Sequence, residues 1–183
     1  GTLYPQDFIH CLGVPNEYIG PEQIFGMADA ERDPLNIVRW ISEDEVSVIK
    51  EVHDGDSTPD KMPASLKKSV LWFICAVAAL RFKGYRKPVS MLVHTSQKQA
   101  PHYVVSQLIK KWILANKNNV VSLCREVYMM EQDFFNKEDF RKAYYEYGKP
   151  DTFIWDYPDF NDIVPHIEEL TSGVRNIMLD TEG

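Results

Sequence analysis

The 183 residues lack most of the short motifs that mark a catalytic or nucleotide-binding chain. There is no GxxxxGK[ST] loop, so a phosphate cradle of that kind is excluded, and GxGxxG, GxSxG and HExxH are missing too. Cysteine is scarce: Cys11, Cys75 and Cys124 form no CxxC pair. That count and spacing exclude a disulfide framework or zinc knuckle and suit reduced thiols in a cytoplasmic compartment. None of the five histidines stands three or four residues from another His or Cys in a metal-site context. Long hydrophobic runs are absent as well. The longest, Val70–Leu80, is followed by Arg81 and Lys83 and falls short of the ~20 residues a bilayer requires, so no membrane partner is expected. No signal peptide, internal repeat or low-complexity tract is evident.

What remains is ample material for a packed core: 44% of residues are apolar and 12% aromatic. The formal charge is −7, which argues against a surface that grips nucleic acid everywhere but leaves room for a local basic strip.

Residues 1–62 read as a lead-in with short elements, rich in turns at Leu12-Gly13-Val14-Pro15-Asn16, Ile19-Gly20-Pro21 and Asp33-Pro34. Within it Asp7–Leu12 is a candidate strand, and Pro21–Gly26 is one turn of helix closed by glycine. The aromatics Tyr4, Phe8, Tyr18, Phe25 and Trp40 are expected to pin the lead-in onto a body. Ile37–Ile41 alternates like a strand, and Ser42 followed by Glu43, Asp44 and Glu45 offers an N-cap and a first turn suited to the helix dipole. Glu51, His53, Asp54 and Asp56 form an acidic cluster whose ordinary explanation is a solvated loop.

Residues 63–183 are expected to form a central helix and a partial α/β lobe, and the chain overall one compact unit, a fragment of a longer protein. The central helix lies between Pro63 or Ser65 and Gly84, apolar around most of its circumference. Pro88–His94 is a short apolar run of the kind found in buried parallel strands, and an amphipathic helix follows to about Asn116. Further helices are expected over 118–134, Lys137–Tyr147 and Asp159–Thr171, the last carrying Pro165. Phe153–Trp155 reads as extended, and Gly173–Asp180 as a strand parallel to Val89–Val93.

The turn after the first strand is the candidate site. Polar residues at the carboxyl ends of parallel strands sit where open α/β sheets bind ligands, and a helix N-terminus beside them favours phosphate. Those residues are His94, Thr95, Ser96, Gln97 and Lys98, with Lys110 and Lys111 adding local positive charge. The plainer account is that Thr95 or Ser96 only caps the next helix. No catalytic or metal-ligating residues are assigned.

The same segment, Ser90-Met91-Leu92-Val93-His94-Thr95-Ser96, resembles the SMLVHxSR signature of the Z-one domain, a family to which an endonuclease role is ascribed. Leu3-Tyr4-Pro5-Gln6-Asp7-Phe8-Ile9, Asn16-x-Tyr18-Ile19-Gly20, Phe25-Gly26, Val38-Arg39-Trp40-Ile41, Asp44-x-Val46 and Pro63-x-Ser65-Leu66 match it in the same order. Gln97 stands where the family often has Arg. The resemblance implies a segment of a larger bacterial protein with a superfamily-two helicase-like ATPase, found beside DNA methyltransferases and nucleases in restriction and phage-defence gene clusters. It places the phosphate loop before Gly1 and the arginine-bearing motif after Gly183. ATP and Mg are then implied for the full-length protein and no cofactor for this chain. Val89–Ser96 becomes the first strand and turn of a helicase second lobe, so the expected fold is helix-rich α/β, a partial RecA-like parallel sheet with a helical insert. The expected partners are DNA, touched by His94, Ser96, Gln97 and Lys98, the remainder of the chain, and methyltransferase or nuclease subunits. The competing expectation is a scaffolding domain that docks a partner subunit through the aromatic helices Phe134–Tyr147 and Phe153–Phe160.

Overall fold

The computed structural model describes residues 20–26, 37–54, 58–96, 99–134 and 156–172. The chain divides into two compact units, one made of 1–38 with 135–155 and the other of 39–134 with 156–183. In the first, α1 (Pro21–Phe25) is a single turn begun by the Ile24 N–H donating to the Gly20 carbonyl, and Gly26 follows at φ 73°. That left-handed φ suits glycine, as the sequence leads one to expect.

The second unit is helical throughout its described elements. Ser42 caps α2 (Glu43–His53), its hydroxyl accepting from the Glu45 N–H, with three acids in the first turn facing the positive end of the dipole. A 3-10 turn at Pro59–Lys61 leads to α3 (Ala64–Phe82). This helix is rich in Ala and Leu, which lose little freedom on coiling. It ends in a paired closure: the Gly84 N–H donates to the Arg81 carbonyl, and the Tyr85 N–H to that of Leu80. Gly84 sits at φ 85°, the left-handed position this closure needs.

Then come α4 (Gln99–Ala115), α5 (Val120–Phe134) and α6 (Phe160–Thr171). Asp159 caps α6 by accepting from the Asn161 N–H at 2.8 Å. Pro165 is the sixth residue of α6, past the first turn, and has no N–H to give the Asn161 carbonyl. Replacing Asp159 by Ala is expected to cost about 1 kcal/mol of stability, measured by urea unfolding, because the capped donor is left without its acceptor.

One core joins these helices. From α3 come Val70, Leu71, Ile74, Cys75 and Ala78, from α4 Val105, Leu108, Ile109, Trp112 and Ile113, and from α6 Phe160, Ile163 and Ile167. Cys75 and Cys124 are both fully buried where α3 meets α5, the Cys75 thiol donating to the Cys124 carbonyl at 3.5 Å. The neighbouring Cys124 side chain, together with burial, holds the Cys75 thiol well above its ordinary value, so both act as small apolar fillers. Cys11 lies outside the described residues.

The expected α/β architecture is overturned. Among the described residues there is no strand, and a partial RecA-like parallel sheet is not present. Val89–Val93 has no regular structure, and neither does Val38–Ile41. Side chains from Val89 to His94 do alternate between half-buried and exposed, with Leu92 89% exposed and Val93 packed on the core. The period of two is therefore real, but its neighbours are helices and offer no ladder of backbone partners. The anchoring role expected of Trp40 is corrected too, since Trp40 is 97% exposed. The expected elements at Asp7–Leu12, Lys137–Tyr147, Phe153–Trp155 and Gly173–Asp180 lie outside the described residues, as do Tyr4, Phe8 and Tyr18.

Candidate functional site: a histidine-flanked loop on a cationic stretch

Three histidines gather around the loop 94–96. His53, the last residue of α2, brings its Nε2 to 3.0 Å from the Thr95 hydroxyl. His102, in the first turn of α4, donates from Nε2 to the Ser96 carbonyl at 2.6 Å. Its ring also meets that of His94 edge-on, centroids 5.1 Å apart. A carbonyl only accepts, so His102 carries its proton on Nε2. The loop is thus fastened from two helices. His94 stays exposed, while Thr95 and Ser96 are half-buried.

Of the four residues expected to touch nucleic acid, the structure places His94 and Ser96 on this loop, and Gln97 and Lys98 lie outside the described residues. His53 was grouped in the sequence with Glu51, Asp54 and Asp56, but here it belongs to the loop. Glu51 instead pairs with Lys61 at 3.4 Å, and Asp56 lies outside the described residues. Among the described residues, no three His, Cys, Asp or Glu side chains gather as a metal site.

The charge around the loop is the feature that sequence reasoning missed. Residues 61–125 contain twelve of the twenty Lys and Arg residues and none of the twenty-seven Asp and Glu. The overall charge of −7 hides this segregation; a running sum along the chain exposes it. Lys61 and Lys68 of this stretch pair with carboxylates outside it, Glu51 and Glu131. Several others meet neutral acceptors. Arg81 donates to the carbonyls of Tyr85 and Lys87, Lys117 to that of Ser172, and Arg125 to the Asn161 amide oxygen. Such bonds fix a cation in place without cancelling its charge, so the field it projects survives.

A second polar cluster was also unforeseen. Glu131 of α5 is 1% exposed and accepts two bonds from the Arg39 guanidinium, one at 2.6 Å between Nη1 and Oε1, and one from Lys68 at 3.0 Å. Burial alone pushes its carboxyl upward, but the bonds from Arg39 and Lys68 outweigh that and hold it below its ordinary value. Nearby, Tyr128 donates to the Pro158 carbonyl at 2.8 Å, and burial raises its hydroxyl to about 12. Tyr157 is raised as well, by burial and by the charge of Glu131. These groups hold α3, α5 and the approach to α6 together.

Fold and site define a helical unit with a cation-rich, carboxylate-free stretch of sequence and a loop braced by histidines. A family model described as the Z1 domain (the Z-one domain) matches residues 65–182, and the chain belongs to that family. The match covers α3 to α6, the loop and most of the cationic stretch. Comparison with curated proteins gave no match, and neither did comparison with solved structures.

Proposed function

We propose that this chain is a DNA-acting module that works beside a helicase-like ATPase of a bacterial restriction or phage-defence system and is not catalytic by itself. The observation that carries the proposal is the run from residue 61 to 125, cationic and free of carboxylates in an otherwise acidic chain. A duplex presents a dense row of phosphates, which a stretch rich in cations and free of carboxylates would meet while the acidic remainder repels. The loop 94–96 supports the reading: it lies within that stretch of sequence and is held by His53 and His102. This chain contains no phosphate-loop sequence, so ATP and Mg would serve the attached ATPase. The endonuclease role and partnership with methyltransferase or nuclease subunits belong to the same proposal and rest on the family resemblance.

Fluorescence anisotropy with a short labelled duplex, titrated at several salt concentrations, tests the proposal. The expected result is a log–log salt slope of roughly −3, as for a protein that meets three or four phosphates. Lys98→Ala and the pair Lys110→Ala/Lys111→Ala should each weaken binding and flatten the slope. An absence of binding at low salt, or a slope near zero, would overturn it.

The scaffolding alternative gains nothing from the described aromatics. Phe160 is buried, and Tyr157, although 38% exposed, packs against Trp72 and Tyr128. Apart from Phe134, the last residue of α5, the other aromatics of those segments lie outside the described residues.

A further inference from the structure

The end of α3 carries the sequence Arg81-Phe82-Lys83-Gly84-Tyr85-Arg86-Lys87, four cations interleaved with two aromatics. Aromatic side chains usually turn inward, yet Phe82 is 46% exposed and Tyr85 42%. The backbone beneath them is fixed. Gly84 at φ 85° and the Tyr85 N–H bond to the Leu80 carbonyl turn the chain back. Arg81 then clamps the turn from below, donating one Nη1 to the Tyr85 carbonyl at 2.6 Å and the Lys87 carbonyl at 2.9 Å. Lys83 ties the same end to the Asp156 carbonyl at 2.8 Å.

Cations after a helix C-terminus have an ordinary explanation, since they offset the negative end of the dipole. That accounts for Arg81 and Lys83, which bond carbonyls there. It does not account for Arg86 and Lys87, which lie beyond the helix, are exposed, and form no ion pair among the described residues. Nor does it account for two exposed rings on a turn held rigid by its own hydrogen bonds.

We infer that Phe82, Tyr85, Arg86 and Lys87 form a binding platform for single-stranded nucleic acid, with bases stacked on the two rings and phosphates against the two cations. This rests on the DNA-acting reading and names the form of DNA. In a duplex the base faces are covered by their neighbours, whereas a single strand offers them to a ring. The turn is already ordered, so little freedom is lost when the strand docks.

The test compares a labelled fifteen-nucleotide oligothymidylate with a duplex of equal length, using the whole chain. Tyr85→Ala should weaken single-strand binding roughly tenfold and duplex binding less than twofold, because stacking is lost while charge is kept. Tyr85→Trp should restore single-strand affinity, and circular dichroism should be the same for both variants. Arg86→Ala/Lys87→Ala should weaken both ligands and flatten both salt slopes. Equal losses on the two ligands with Tyr85→Ala, no loss at all, or poly-glutamate binding as tightly as the oligonucleotide would overturn the platform. If the unaltered chain binds neither nucleic acid, the DNA-acting reading fails as well. If it binds duplex and single strand alike and is indifferent to Tyr85, only the platform fails.

Discussion

Replacing Arg39 by Met is expected to destabilise the protein by about 3 kcal/mol in equilibrium urea unfolding. The guanidinium is the bidentate partner of Glu131, whose side chain is 2% exposed, and its loss leaves a buried carboxylate with Lys68 as its remaining cation. The double variant Arg39→Met/Glu131→Met should recover most of the loss, because an apolar pair of similar volume avoids a buried charge. If instead the double variant is as unstable as the sum of the single ones, the ion pair is not the cause. The acid limb of stability tests the same cluster. Glu131 is held below its ordinary value in the folded protein, so its contribution is present above the unfolded carboxyl value of about 4.3 and is lost as pH falls through the folded value. Glu131→Gln should therefore unfold with a shallower pH dependence on the acid side than the parent.

Ile163→Ala is expected to cost about 3 kcal/mol and to lower Tm by roughly 5–12 °C in a thermal scan. The α6 helix presents a narrow apolar stripe, in which Phe160, Ile163, Ile167 and Thr171 are buried and Ile163 is fully so. It packs against both α3 and α5, and removing three carbons where these helices meet opens a cavity that close-packed neighbours cannot fill. Val164→Ala, on a side chain only partly buried, should lose less than half as much. Equal losses at the two positions would mean that α6 is not seated by this stripe.

Local signals along the chain carried most of the helices. Ser42 with its acids, Pro63 and Gly84 around the apolar run, and Asp159 ahead of α6 each mark a helix end by a backbone requirement that acts within a few residues. Those marks need no knowledge of the rest of the fold, and they were legible. The strand at Val89–Val93 was not, because a strand is defined by its partner. The alternation is there in the burial of Val89, Met91 and Val93, but it shows only that one side of the segment faces the core. The candidate site was half legible. His94 and Ser96 do lie on one loop with Thr95, but the histidines that brace it come from 42 positions before Thr95 and six after Ser96. Arg39 and Glu131 are 92 positions apart, and no local pattern links them. The segregation of charge was in plain sight, but the net total concealed it.

That segregation is the physical basis of the proposed function. Cations that bond carbonyls and amide oxygens keep their charge while losing their freedom, so the stretch 61–125 keeps much of its positive field. Hydrogen exchange on the whole chain, with and without a bound oligonucleotide, tests the claim most directly. The account predicts slowed exchange across the α3 end and the following loop, residues 81–96, with α2 and α6 unchanged. Slowed exchange confined to α2 or α6, or no change anywhere at saturating oligonucleotide, would contradict it.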